Sequence, residues 1–214
     1  MTVNTKKVKE IIKEIQPSVL VAATKYSSLE ELYELEKNGV TIFGENQVQS
    51  LLEKYNKYKG NAKFHMIGTL QTNKVKYIID KVDLIHSVAN YRLIDEIEKQ
   101  AEKRNIIMNI LIQVNIAEEN SKHGFMIEEI NSVFEYLKEK KNINLKGLMV
   151  MAPNINPEAT EKYFEEAKKL LEKLQNIYPN YELNELSMGM SNDYKYAIKH
   201  NATLVRIGSL LFND

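Results

Sequence analysis

Eight short β-type runs alternate with amphipathic helical segments along this chain, and that alternation limits its fold more than any single residue does. The runs cover residues 19–25, 40–43, 63–67, 84–88, 108–114, 145–151, 185–188 and 203–207. Apolar residues spaced three and four apart predict helices between them, over 28–38, 47–58, 75–79, 91–104, 127–140, 157–177 and 193–200. A further helix, over 3–15, precedes the first run. Ser28 with Glu31 reads as a capping box, and Asn38-Gly39 as the end of that helix. Eight strand–helix units in one domain predict an α/β fold, a single (β/α)8 TIM barrel with an additional N-terminal helix preceding strand 1. The leading helix replaces the one expected after strand eight. An open doubly wound sheet competes, but no glycine-rich dinucleotide turn follows any strand. With only 4 Pro and 8 Gly there is no linker composition, so residues 1–214 read as one domain.

Composition removes several function classes. Lys+Arg and Asp+Glu both number 29, a balance that argues against general nucleic-acid binding, which rests on neutralising phosphates. The chain has no cysteine, which excludes disulfides, thiolate metal sites and cysteine nucleophiles. No His/Asp/Glu cluster has metal-ligand spacing. The first 16 residues are charged and amphipathic, unlike a signal peptide, and no apolar run approaches the ~18 residues of a membrane span. The expected class is a soluble, cytoplasmic protein. The charged stretch 158–173 reads as a solvated helix face with i,i+4 pairs.

In a barrel of this kind the chemistry lies at the C-terminal ends of the strands. Lys25 ends the first run. Lysine is rarely buried without a reason, and desolvation lowers its pKa toward the neutral amine that attacks carbonyls; the competing reading is a stem that snorkels to water. Val19, Val21, Ala23 and Lys25 share one strand face, as do Leu204, Arg206 and Gly208. Barrel closure is expected to bring Lys25 and Arg206 side by side at one rim, although Arg206 could instead pair with a structural carboxylate. The loops after strands seven and eight, the usual phosphate sites of such barrels, read Ser187-Met188-Gly189-Met190-Ser191-Asn192-Asp193, then Gly208-Ser209. Glycine lets backbone N–H groups approach an anion, and a helix starting near Ser191 would add favourable charge; as isolated features these are also ordinary turn and cap residues. Amine, phosphate cradle and a polar partner for a ring nitrogen are together what pyridoxal phosphate requires. His65 and His86 lie inside strand patterns and read as structural histidines, with His86 able to approach the ring.

Motifs along nearly the whole chain carry a family resemblance. They are Val21-Ala22-Ala23-Thr24-Lys25, Phe43-Gly44-Glu45-Asn46, the segment from Phe64-His65 to Asn73-Lys74, and Ile85-His86-Ser87-Val88. Further along come Gln113-Val114-Asn115-Ile116 with Lys122-His123-Gly124, Gly147-Leu148-Met149, the segment from Leu186-Ser187 to Asn192-Asp193, and Val205-Arg206-Ile207-Gly208. In this order they resemble the YggS family of pyridoxal-phosphate-binding proteins, the PLP homeostasis proteins, related to the N-terminal barrel of alanine racemase. The resemblance implies a Schiff base on Lys25, Arg206 near the pyridine nitrogen, and phosphate contacts from the last two loops. The cofactor-binding set expected from residues and resemblance is Lys25, Asn46, His86, Ser187, Gly189, Met190, Ser191, Arg206, Gly208 and Ser209. Three positions depart from the family pattern, Gln47, Thr69 and Ala117, all away from the lysine, the arginine and the phosphate loops.

Arginine does not readily give up its proton, so Arg206 would leave the ring nitrogen unprotonated and the ring a weaker electron sink. Racemisation also needs an acid/base group on each face of the cofactor. Alanine racemase draws one from a second domain and a partner subunit, for which this chain shows no counterpart. The expectation is therefore a PLP carrier in vitamin B6 homeostasis rather than a turnover enzyme: a monomer whose partners are PLP and PLP-dependent apo-enzymes. The alternatives are an amino-acid racemase or other weak aldimine enzyme, and a cofactor-free Schiff-base aldolase.

Overall fold

Nearly every predicted run is apolar on both faces, the pattern of strands covered on two sides, and these runs form the staves of a closed parallel barrel. The computed structural model describes residues 2–118 and 123–213. In chain order its strands are β1 (Thr2–Val3), β2 (Val19–Ala23), β3 (Ile42–Glu45), β4 (Lys63–Met66), β5 (Leu84–Val88), β6 (Met108–Val114), β7 (Ile143–Val150), β8 (Glu185–Met190), β9 (Leu204–Ile207) and β10 (Phe212–Asn213). The helices are α1 (Thr5–Glu14), α2 (Leu29–Lys37), α3 (Val48–Lys57), α4 (Val75–Ile78), α5 (Tyr91–Arg104), α6 (Ile130–Leu137), α7 (Glu161–Ile177) and α8 (Tyr194–Lys199). β2 to β9 are the eight barrel strands, closed by β2 pairing with β9, where Val21 stands opposite Arg206. The predicted (β/α)8 barrel with a leading helix is the observed fold. α1 packs on α2, β2 and the 3-10 turn Ser209–Leu211, so it covers the wall where a helix after β9 would lie.

Local chemistry accounts for the element ends. Ser28 and Glu31 form the expected capping box: Glu31 N–H donates to Ser28 Oγ (3.3 Å), and Ser28 N–H donates to the Glu31 carboxylate (2.7 Å). Three helices open with a 3-10 turn, at Thr72–Lys74, Ile127–Glu129 and Pro157–Thr160; apolar periodicity does not separate those tighter turns from the helix proper. The antiparallel β1–β10 pair, Val3 opposite Phe212, was not predicted, since two residues carry no period.

Side-chain alternation along the strands separates two cores. Outward residues such as Leu20, Phe43, Ile85 and Leu186 pack against the helices. Inside the barrel, Val21, Ile67, Leu84, Leu111, Met149 and Leu204 form a second cluster, each stabilising by about 1.5–3 kcal/mol through burial. Gly147, at φ +149°, is demanded by this geometry: a Cβ there would lie 1.8 Å from the Glu185 carbonyl oxygen on β8.

Candidate functional site

The C-terminal mouth of the barrel opens, beside the ends of β2, β8 and β9, into a cavity of about 470 Å³. Its walls are Ala23, the segment after β7 from Met151 to Ile155, Thr160, Met190 to Asp193, Gly208 and Ser209, with Arg206 also lining it. Five expected site residues thus meet in one space: Met190, Ser191, Arg206, Gly208 and Ser209. Ser191 Oγ accepts the Gly208 N–H at 3.3 Å, which ties the two loops together. Asp193 is buried, and burial pushes its carboxyl up, against the opposing pull of the Met190 N–H, which donates to it at 2.6 Å, and of the Arg206 charge.

Arg206 is only 5% exposed. It donates through Nη1 to Ser187 Oγ and through Nη2 to the Val150 carbonyl (2.9 Å). Burial brings the guanidinium down to about 10, still far above neutrality. Below it a polar chain crosses the barrel: Ser187 Oγ lies 2.9 Å from His86 Nδ1, and His86 Nε2 lies 2.9 Å from His65 Nδ1. Burial pushes His65 down to about 4 and His86 well below the ordinary range, with His65 and the Arg206 charge adding to the effect on His86. Both rings are therefore neutral at pH 7, each with one N–H. One proton arrangement satisfies the whole chain. Ser187 accepts from Arg206 and donates to His86 Nδ1, and His86 Nε2–H donates to His65 Nδ1. In the reverse arrangement the Ser187 proton has no acceptor among the described residues.

The remaining expected residues lie elsewhere. Ser187 and His86, both fully buried, sit beneath Arg206 and act on the cavity through it. Gly189 is a packing residue: at φ +86°, a Cβ there would meet Ala197 Cβ at 2.6 Å, so glycine lets α8 seat against β8. Asn46, just past β3, is exposed. Lys25 requires a correction. β2 ends at Ala23, and Lys25 stands in the following turn, exposed, with Nζ 4.7 Å from the centre of the Tyr26 ring. It is not desolvated at a strand end. In the β2–β9 register the residue level with Arg206 is Val21.

Sequence reasoning missed the wall after β7, together with Thr160; Asn192 and Asp193 line the cavity as part of the expected loop, outside the expected binding set. The general rule for phosphate loops pointed only to the last two strands; Ala152-Pro153, directly after a strand, was the available signal. Gln47 is exposed and caps α3 without a side-chain hydrogen bond, and Thr69 is exposed. Lys122, part of the family resemblance, lies outside the described residues. Among the described residues no group of three His, Cys, Asp or Glu could hold a metal ion, and no helix is long and apolar enough to cross a membrane.

Comparison with known proteins agrees with this fold. Residues 1–214 match the family described as alanine racemase, N-terminal domain. A pyridoxal phosphate homeostasis protein of Aquifex aeolicus (strain VF5) is 44% identical over 197 residues, 91% of this chain and 86% of that protein. One from Haemophilus influenzae is 33% identical over 197 residues, 90% of this chain and 83% of that protein. Among solved structures, PipY of Synechococcus elongatus PCC7942 with PLP bound matches with a TM-score of 0.90 at 28% identity, covering 98% of this chain and 99% of that one. Alanine racemase of Clostridium difficile 630, in complex with cycloserine, has a TM-score of 0.80 at 16% identity and is covered over 59% of its length, a likeness of fold alone.

Proposed function

This chain belongs to the pyridoxal phosphate homeostasis proteins, within the alanine racemase N-terminal domain family, and from that premise we propose that it binds pyridoxal 5′-phosphate at the C-terminal mouth of the barrel and serves PLP (vitamin B6) homeostasis. The observation that carries the reading is the cavity itself. Its volume of about 470 Å³ falls in the ~300–1,000 Å³ range of small-molecule sites, and its donors suit an anionic heteroaromatic ligand. Two Arg206 hydrogen bonds go to Ser187 and Val150, which leaves further N–H groups of a guanidinium that has five. The hydroxyls of Ser191 and Ser209, on the loops that also carry Met190 and Gly208, offer donors for a phosphate.

When bound, PLP supplies an aldehyde that condenses with amines and a ring that withdraws electrons. Lys25, exposed on its turn, would provide the amine for covalent attachment. Asn46 borders the same rim. Arg206 would hold the ring nitrogen by donating to it, and because the guanidinium keeps its proton, that nitrogen would stay unprotonated. Ser187 and His86 orient the guanidinium from below, and Gly189 seats the loop that carries Met190 and Ser191.

A carrier role fits better than turnover. Racemisation needs an acid/base group on each face, whereas among the described residues lining the cavity the titratable side chains are Arg206 and Asp193, and the Asp193 carboxylate is engaged by the Met190 N–H. In this reading the protein is a cytoplasmic monomer that passes PLP to PLP-dependent apo-enzymes. The test is to titrate the purified protein with PLP, follow the visible band, reduce with borohydride and locate the adduct by mass spectrometry. The expected result is an adduct on Lys25 that is lost in Lys25→Ala. A Lys25→Ala protein with an unchanged band would overturn the covalent role, and sustained racemisation of added amino acids would overturn the carrier role.

A further inference from the structure

Behind the turn that carries Lys25 lies a buried ion pair that the proposed binding does not use. Glu45, at the end of β3, is 0% exposed. Its carboxylate accepts from Lys54 Nζ (2.7 Å), from the Thr24 hydroxyl (2.5 Å) and from the Ser50 hydroxyl (2.8 Å). Lys54, on α3, has a side chain only 11% exposed. Its Nζ also donates to the Thr24 carbonyl.

Burying two charges costs desolvation that their attraction need not recover, so an apolar pair of the same size is often as stable. The reason to keep this pair is therefore sought in what it holds. It converges on Thr24, the residue immediately before Lys25, which is itself 0% exposed. Every polar group of Thr24 is gripped. Its N–H donates to the Gly44 carbonyl (3.1 Å), and its hydroxyl donates to Glu45. Its carbonyl accepts from both Lys54 and the Ser27 N–H (2.9 Å). Three of these partners, Gly44, Glu45 and Lys54, belong to the neighbouring β3–α3 unit, and the last two reach by side chain to the β2–α2 turn. The exposed Lys25 side chain thus swings from an immobilised backbone.

We propose that Glu45 and Lys54 are positioning residues for the Lys25 amine: the buried pair clamps Thr24 so that Nζ reaches the cavity from a fixed anchor. This rests on Lys25 being the point of PLP attachment. It predicts a split between two ligands. Pyridoxine 5′-phosphate has no aldehyde and engages only the phosphate loops and Arg206, whereas PLP needs the lysine as well.

The test measures both ligands on wild type and on the double variant Glu45→Gln/Lys54→Met, which removes both charges together. The expected result is PLP affinity, and adduct trapped by borohydride at sub-saturating PLP, lowered about tenfold, with pyridoxine 5′-phosphate affinity unchanged within about twofold. If the double variant does not fold, Thr24→Val, which removes only the gripped hydroxyl, is read for the same split. A parallel loss for both ligands, or no loss for either, overturns the positioning role while leaving Lys25 attachment standing. Absence of a Lys25 adduct in the wild-type protein overturns both.

Discussion

Acidification tests the buried histidine pair quantitatively. Burial holds His65 at about 4 against an ordinary 6.5, and His86 is shifted in the same direction. Between those values the unfolded chain takes up a proton that the native state refuses, so stability falls as the pH drops. Above pH 6.5 neither state is protonated and the linkage contributes nothing; below pH 4 both are protonated at His65 and the loss stops growing. At pH 5 the His65 linkage amounts to about 2 kcal/mol, on the way to about 3 kcal/mol in full. His86 adds to it with the same sign. The assay is urea unfolding at pH 7, 6, 5.5 and 5, a window chosen to lie above most carboxylate titration. Wild type is compared with His65→Phe, which keeps a flat ring but cannot titrate. The variant is expected to be less stable at pH 7, because His86 Nε2 loses its partner, at about 1–3 kcal/mol. Its stability should also decline less steeply with acid, by about 1.4 kcal/mol per pH unit for the one proton removed. Equal slopes for the two proteins would refute the claim that His65 is held neutral by the fold.

Other outcomes follow from single positions. Gly147→Ala places a Cβ where the Glu185 carbonyl stands, and should lose about 3 kcal/mol or more in denaturant unfolding by parting β7 from β8; a loss below about 1 kcal/mol would mean the strands can shift at no cost. Ser191→Asp puts a carboxylate at the proposed phosphate site, so PLP and pyridoxine 5′-phosphate affinities should both fall, by about tenfold or more, in calorimetry. The melting temperature should change little, since an aspartate there can still accept the Gly208 N–H. Undiminished binding of both ligands would place the phosphate elsewhere.

Much of the frame was legible before the structure because it is written in local chemistry. The run 108–114 is strand β6 to the residue, and 91–104 is helix α5 to the residue. The Ser28–Glu31 cap, the count of eight strands and the leading helix need only neighbours in sequence to be recognised. The site was legible in part. Both serine loops and Arg206 meet as expected, because strand order and the polarity of a parallel barrel bring those loops to one end. The first strand stops at Ala23, two residues short of the run 19–25, because an apolar run says where a strand begins better than where it stops. The last two residues of 19–25 had become turn, held by Glu45 and Lys54 from another unit.

What the amino-acid sequence determined alone is the succession of elements, since periodicity, caps and turn residues act over a few positions. Which side chains share a space was decided only when β9 closed onto β2. That contact, between residues some 185 positions apart, sets the stagger, and the stagger lowers Arg206 into the barrel. It also lines up His65, His86 and Ser187 beneath Arg206. No local pattern encodes such a register, because it depends on the packing of all eight strands at once.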